Sequence, residues 1–267
     1  MKLRDFSRIL STVLLACLAA IAPAQDREGN EVTRQFIQTR SASGTPPFAA
    51  KRHPKPAARI GLGYTLYKKN ANDEPVRVTA AQNFGSGDNL RFVIESNITG
   101  YLYIFHQENN GPAKMLYPDA RLEWGKNRIK AHVPHEVPSS NDGRWFNFSG
   151  PDATERFYLV VSRETLPKVL TGDKLLAYSR KNPGDYAWHP PETTWKQLLA
   201  QAKAPVRESQ GNLLGQVQTQ AERDAIRRNV DVKLDDPAPT IIRMSESPKA
   251  KMLVTMIELA HIQPPTP

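Results

Sequence analysis

The sequence predicts a mainly β protein: an antiparallel β-sandwich with a helical insertion near the C-terminal end. Three observations predict it. From Arg59 onward, apolar residues recur at every second position, the period of a strand with one face buried. Turn-forming clusters at Asn70-Ala71-Asn72-Asp73, Gly85-Ser86-Gly87-Asp88 and Asn109-Asn110-Gly111 interrupt that alternation, as in all-β domains. The chain carries neither a glycine-rich phosphate loop nor the strand–helix alternation of a doubly wound sheet.

Ahead of the β pattern stand a basic segment, MKLRDFSR, an apolar one, ILSTVLLACLAAIA, and then Ala22-Pro23-Ala24 before Gln25. That order predicts a signal peptide over 1–24, cleaved between Ala24 and Gln25. The apolar run is shorter than the ~20 residues that span a bilayer. Leu14-Leu15-Ala16-Cys17 also matches a lipobox, in which Cys17 would be lipidated and become the mature N-terminus. Because the apolar run continues to Ile21, cleavage after Ala24 is the preferred reading and lipidation the alternative. Either way the protein is expected to be exported: periplasmic or secreted, or an outer-membrane lipoprotein if Cys17 is modified. Cleavage after Ala24 removes the single cysteine, and with it disulfides and thiol chemistry. Residues 25–56, which include QTRSASGTPPFAAKRHPKP, lack a sustained apolar period and are expected to form a disordered linker.

The predicted sandwich core occupies 57–166. Ile60, Leu62, Tyr64 and Leu66 alternate with Arg59, Gly61, Gly63 and Thr65; Leu90, Phe92 and Ile94 alternate with Arg91, Val93 and Glu95. In GYLYIFHQ, Tyr101, Tyr103 and Phe105 share one face, and Leu102, Ile104 and His106 the other. Both faces are largely apolar, so this strand is expected centrally, its rings wedged between two β layers. Met115–Tyr117, Arg128–Val133, Trp145–Phe148 and Arg156–Ser162 read as further strands. A loop and helical insertion spans 167–229, with helices expected near Thr165–Leu170, Thr194–Ala202 and Leu213–Arg228. Closing strands are expected over 230–260, at Val230–Leu234, Thr240–Met244 and Met252–Leu259, the last pairing back into the main sheet. A tail covers 261–267.

The stretches FGSGDNLRFVIESNITGYLYIFHQ, MLYPDARLEWGKNRIKAHVP and WFNFSGPDATERFYLVVSRE resemble the bacterial domain-of-unknown-function family 4384. The resemblance runs through Phe84, Gly87 and Asp88, then Gly100, Tyr101, Leu102 and Tyr103, then Leu116, Tyr117 and Pro118. It continues through Asn127, Arg128, Pro134, Phe148, Glu155, Phe157, Ser162, Arg163 and Glu164. It implies an all-β module of exported bacterial proteins, with no catalytic residues to carry over. Each motif position also has a structural role: Gly87 and Gly100 for tight backbone geometry, Asp88 for turn hydrogen bonds, Pro118 and Pro134 for strand ends.

The formal charge of +9 suits an anionic partner or simple solubility, but the basic residues form no run and no nucleic-acid-binding motif accompanies them. Nucleic acid is therefore not an expected partner, and the membrane is expected only through an N-terminal lipid. His132-Val133-Pro134-His135-Glu136 holds metal-ligating residue types, but Pro134 forbids a helix, and on an extended segment the two imidazoles point to opposite faces. No metal or other cofactor is expected. Ser149 and Ser162 lie outside any Gly-x-Ser-x-Gly elbow, and Asp142, Asp152 and Glu155 are the acidic residues near strand ends. Trp124, Trp145, Tyr186 and Trp188, with Arg121, Arg144 and Arg180 nearby, are candidate binding aromatics; capping of the core is the competing reading. The expectation is a non-catalytic envelope protein, an accessory or binding module acting through protein contacts, with a saccharide-binding envelope protein as one alternative. A carboxylate- or metal-dependent envelope hydrolase is the enzymatic alternative.

Overall fold

A computed structural model describes residues 22–41, 57, 59–139 and 143–263. Cys17, residues 42–56 of the expected linker, Asp142 and residues 264–267 lie outside these. Helix α1 (Ala22–Ile37) precedes strands β1 (Gly61–Lys69), β2 (Pro75–Val78), β3 (Asn83–Phe84), β4 (Asn89–Ser96) and β5 (Gly100–Glu108). Strands β6 (Lys114–Tyr117), β7 (Arg128–Ile129), β8 (His135–Val137), β9 (Phe146–Asn147) and β10 (Ala153–Ser162) follow. The chain continues through α2 (Gly172–Lys181), α3 (Glu192–Ala202), β11 (Val206–Gln210), α4 (Gln220–Arg228), β12 (Ile241–Ser245) and β13 (Met252–His261).

The strands form two sheets. The first has the order β11-β12-β1-β4-β8, with β2 also on β1 and β9 on β4; the second has the order β3-β13-β10-β5-β6, with β7 also on β5. Pairing is antiparallel except between β13 and β3. Leu62, Tyr64 and Leu66, with Leu90, Phe92 and Ile94, pack against Leu102, Ile104, Phe157, Leu159, Val161 and Leu253 in one core between the sheets. The mainly β sandwich expected from the alternation is the fold. The closing strand pairs along β10 from Ala153↔His261 to Ser162↔Met252, so strands distant in sequence are neighbours at the centre.

The ring-bearing face of β5 corrects one expectation. Tyr103 and Phe105 are fully buried, but against a helical layer and not against the opposite sheet. They pack with Tyr158, Val160, Leu175, Trp188 and Leu198, and Tyr101 packs partly buried beside them. Trp195 of α3 meets Phe105 at 5.9 Å and Tyr158 at 4.7 Å between ring centroids. It is the aliphatic face, Leu102 and Ile104, that enters the inter-sheet core. Alternation reports that both faces are covered; it carries no signal of which layer covers each.

The linker expectation is also corrected. Residues 25–37 continue α1, whose Val32 and Phe36 are fully buried against Ile242 and Met244 on the outer face of the first sheet. Two apolar side chains four residues apart make a stripe too narrow to stand out in a polar window, yet sufficient against a prepared surface. That surface is lined by Gly61 and Gly63. A Cβ at Gly61 would come within 2.7 Å of the Phe36 ring, and one at Gly63 within 2.4 Å of Pro239.

Three further expectations shift. Thr165–Leu170 is not helical: Pro167 supplies no amide donor and Lys168 takes a left-handed φ of 65°, so the helix begins at Gly172 instead. Val230–Leu234 is not a regular strand, because its amides bond elsewhere, Val232 to the His132 carbonyl and Leu234 to that of Ser41. The expected tail begins later: His261 closes β13, nearly fully buried, and the Gln263 amide donates to Asp152. No helix among the described residues is long and apolar enough to cross a membrane.

Candidate functional site

The outer face of the first sheet carries three buried ion pairs where the alternation predicts solvated polar residues. Arg40, just beyond α1, donates to both Glu95 oxygens (Nε–Oε1 2.9 Å, Nη2–Oε2 2.7 Å) and to the carbonyls of Lys233, Asp236 and Pro237. All five guanidinium hydrogens therefore have acceptors. Glu95 also bonds His132 Nδ1 at 2.7 Å, and His132 Nε2 lies 2.7 Å from Thr39 Oγ1. Arg77 pairs with Glu222 of α4, which accepts from the Tyr67 hydroxyl as well. Burial pushes the Tyr67 phenol well above its usual range. Arg91 pairs with Glu136 of β8 at 3.3 Å and stacks over Trp145 at 3.9 Å. These pairs fasten α1, α4 and β8 to the sheet, and His132 belongs to the first of them.

A cleft of about 590 Å³ lies between β6, at one end of the second sheet, and β8, at one end of the first. Met115, Leu122, Val137, Phe146 and Ile226 supply its apolar lining. Arg121, Arg144 and Arg227 bring three guanidinium groups to it from three different segments. Trp145 and Tyr186 supply aromatic rings, with Arg121 centred 5.1 Å over Tyr186 and Lys69 5.2 Å from the centre of Trp145.

The two carboxylates of the lining are already engaged. Asp119 accepts from the Arg121 backbone amide and side chain; burial pushes its pKa up, but the Arg121 hydrogen bonds outweigh that and hold it below the usual range. Glu136 is held by Arg91. His135 also lines the cleft; burial pushes its pKa down to about 4, so at neutral pH it is uncharged. Its Nε2 is buried with no hydrogen-bond partner. The cationic side chains of the lining are therefore all arginines.

The candidate aromatics separate. Trp145 and Tyr186 join Arg121 and Arg144 in the cleft, while Trp188 is a core residue of the helical layer. Trp124 is 70% exposed, at a left-handed φ of 59°, outside the lining, and Arg180 is outside it too. His132 and His135 serve different environments, and among the described residues no three His, Cys, Asp or Glu side chains are grouped to hold a metal. Glu155 of β10 pairs with His106 of β5 and is not among the residues that line the cleft. Arg227 carries the least sequence signal of the cleft's arginines, since it sits in a polar helix whose partner face only folding reveals.

The motif glycines, acid and proline have structural work. Gly87 takes φ 90°, a conformation that favours glycine, and Asp88 Oδ2 accepts from the Gly85 amide (2.9 Å) and Lys68 Nζ (2.6 Å). Gly100 admits the Ser162 carbonyl of β10. Pro118 follows β6 and lines the cleft.

A two-sheet β-sandwich with helices on both outer faces and a basic, aromatic cleft at one open edge is the class of protein these features define. Residues 83–165 match the family model of a domain of unknown function (DUF4384). No curated protein and no solved structure matches the chain. The family segment supplies the cleft walls from Met115 to Phe146, whereas Tyr186, Ala187, Ile226, Arg227 and Asn229 come from outside it.

Proposed function

We propose that the protein is an exported, non-catalytic binding module of the bacterial cell envelope, acting through contacts with another envelope protein, and that the edge cleft is its contact site. The observation that carries this reading is the convergence of Arg121, Arg144 and Arg227 with Trp145 and Tyr186 around one apolar-floored cleft. Aromatic and arginine side chains are the residues that dominate binding energy at protein interfaces. Catalysis by paired carboxylates would want Asp119 and Glu136 poised for proton transfer; each is instead tied to an arginine. Export is supported by the N-terminal basic and apolar segments. Cleavage after Ala24 would leave in place Val32, Phe36 and Arg40, the residues that hold α1 to the sheet.

The test is affinity capture from an envelope fraction with the wild-type protein and with an Arg144→Glu, Arg227→Glu double variant. The expected result is one stoichiometric protein partner, recovered about tenfold less by the variant while its melting temperature stays unchanged. Equal recovery by both proteins would remove the cleft from the interaction, and the absence of any protein partner would remove the reading itself.

A further inference from the structure

We infer that Trp124, Lys126, Arg128 and Lys130, beside the outer edge of the second sheet, form a docking surface for an anionic lipid bilayer. Strand β7 and the residues before it alternate in burial: Gly125, Asn127 and Ile129 are buried, and Trp124, Lys126, Arg128 and Lys130 are exposed. Ile129 enters the inter-sheet core. The Asn127 side chain donates to the Leu102 carbonyl at 3.1 Å, and its own carbonyl accepts from the Leu102 amide at 3.0 Å. Arg128 stands opposite Tyr101, which packs with the helical layer, so the three cations share the outer face of the sheet. On an extended segment they follow one another at ~7 Å. None of the three has a side-chain hydrogen bond or ion pair among the described residues, whereas Arg40, Arg77 and Arg156 are each tied to a glutamate.

Trp124 separates this row from an ordinary solvated edge. Cations on an outer strand also guard against edge-to-edge pairing, and that role needs no indole. Trp124 is 70% exposed at φ 59° and ψ 31°, a left-handed conformation in which a bulky residue is an outlier. Gly125 after it is left-handed too, and a Cβ there would come within 3.3 Å of the Gly172 backbone and of Leu175. The turn is thus pressed against the start of α2. It holds the indole outward, with no aromatic or cation–π partner among the described residues. Backbone strain of this kind is retained where a function uses it.

The chemistry selects a bilayer. An indole settles at the level of the lipid headgroups, and free lysine and arginine side chains beside it are drawn to the anionic surface. Single-stranded nucleic acid stacks successive bases on several rings, and this row offers one. Asp173, which the approach of Gly125 to Gly172 brings near, is offset by Lys174 next to it; both are exposed. None of the four residues lines the edge cleft, so this membrane contact is separate from the cleft and from any N-terminal lipid.

The experiment is co-sedimentation of the protein, purified as the cell exports it, with two kinds of vesicle: phosphatidylcholine alone, and phosphatidylcholine with roughly one-third phosphatidylglycerol. An N-terminal lipid would bind both kinds, so the ratio of the two affinities reads the basic face. Each cation near an anionic surface is worth about fivefold, so the wild type is expected to prefer the anionic vesicles by about a hundredfold. The Lys126→Gln, Arg128→Gln, Lys130→Gln variant should lose most of that preference. Lys203→Gln, Arg228→Gln and Lys249→Gln together, three exposed cations elsewhere, should leave it in place. Trp124→Ala should weaken anionic-vesicle binding about tenfold without lowering the melting temperature. High salt should release the wild type, a readout that needs no variant. Equal binding to the two kinds of vesicle, equal losses in the two triple variants, or unchanged binding by Trp124→Ala would each overturn the inference. So would tighter binding of a labelled single-stranded oligonucleotide through the same residues. If the cations only guard the edge, the first triple variant self-associates and the wild type shows no preference between vesicles, which also overturns it.

Discussion

Glu95→Ala is expected to destabilise the protein by about 3–5 kcal/mol, the range for removing one partner of a buried ion pair. The Arg40 side chain is wholly buried, so its charge would lose its carboxylate partner without gaining water. The His132 Nδ1 bond is lost with it. For a protein of this size, about 3 kcal/mol lowers the melting temperature by roughly 6–12 °C. Hydrogen exchange should show where the damage lies: amides of α1 should exchange faster before those of β10 do, because Arg40 is what ties the end of α1 to β4. Adding Arg40→Met should recover part of the loss, since the stranded charge is gone. A loss below about 1 kcal/mol would mean that Arg40 is solvated and that α1 is not clamped.

Gly100→Ala should cost at least about 3 kcal/mol, toward the upper end of overpacking effects. A Cβ built at Gly100 lies 2.3 Å from the Ser162 carbonyl oxygen and 3.2 Å from its carbon. The obstacle is backbone of a neighbouring strand, so no side-chain rotation relieves it. β5 and β10 pair from Tyr101↔Ser162 to Glu108↔Glu155, and this ladder lies inside both the inter-sheet core and the helical layer. Separating its end disturbs both. Gly184→Ala is the control, because nothing lies within 4 Å of its added methyl. Urea denaturation should show a lowered midpoint for the first variant and none for the second; matching midpoints would refute the close approach.

Much of the inner sandwich was legible from residue pattern. Leu62, Tyr64 and Leu66, like Phe157, Leu159 and Val161, announced strands whose facing sides make the core, because period-two alternation is a property of the strand itself. What stayed hidden depends on layers that local pattern does not encode. Arg91 and Glu95 stand at outward positions and read as solvated, yet they are nearly fully buried, because α1 and β8 bring their partners. β11 has one aliphatic residue in Val206–Gln210 and gains its strand only by pairing with β12. The start of α4 did carry a signal, Thr219-Gln220-Ala221-Glu222, whose side chains and amides bond reciprocally. Of the site, Trp145, Tyr186, Arg121 and Arg144 were named from type and proximity, but Trp188 turns to the core and Arg227 arrives from a distant helix.

Site-specific photo-cross-linking in living cells tests the central claim most directly. A photoreactive side chain at Tyr186, on the cleft, is compared with one at Met256, exposed on β13 away from it. The account predicts a single discrete protein adduct from position 186, identified by mass spectrometry, and none from 256. Adducts from 256 alone, or none from 186 in cells that make the protein at its normal level, would contradict it.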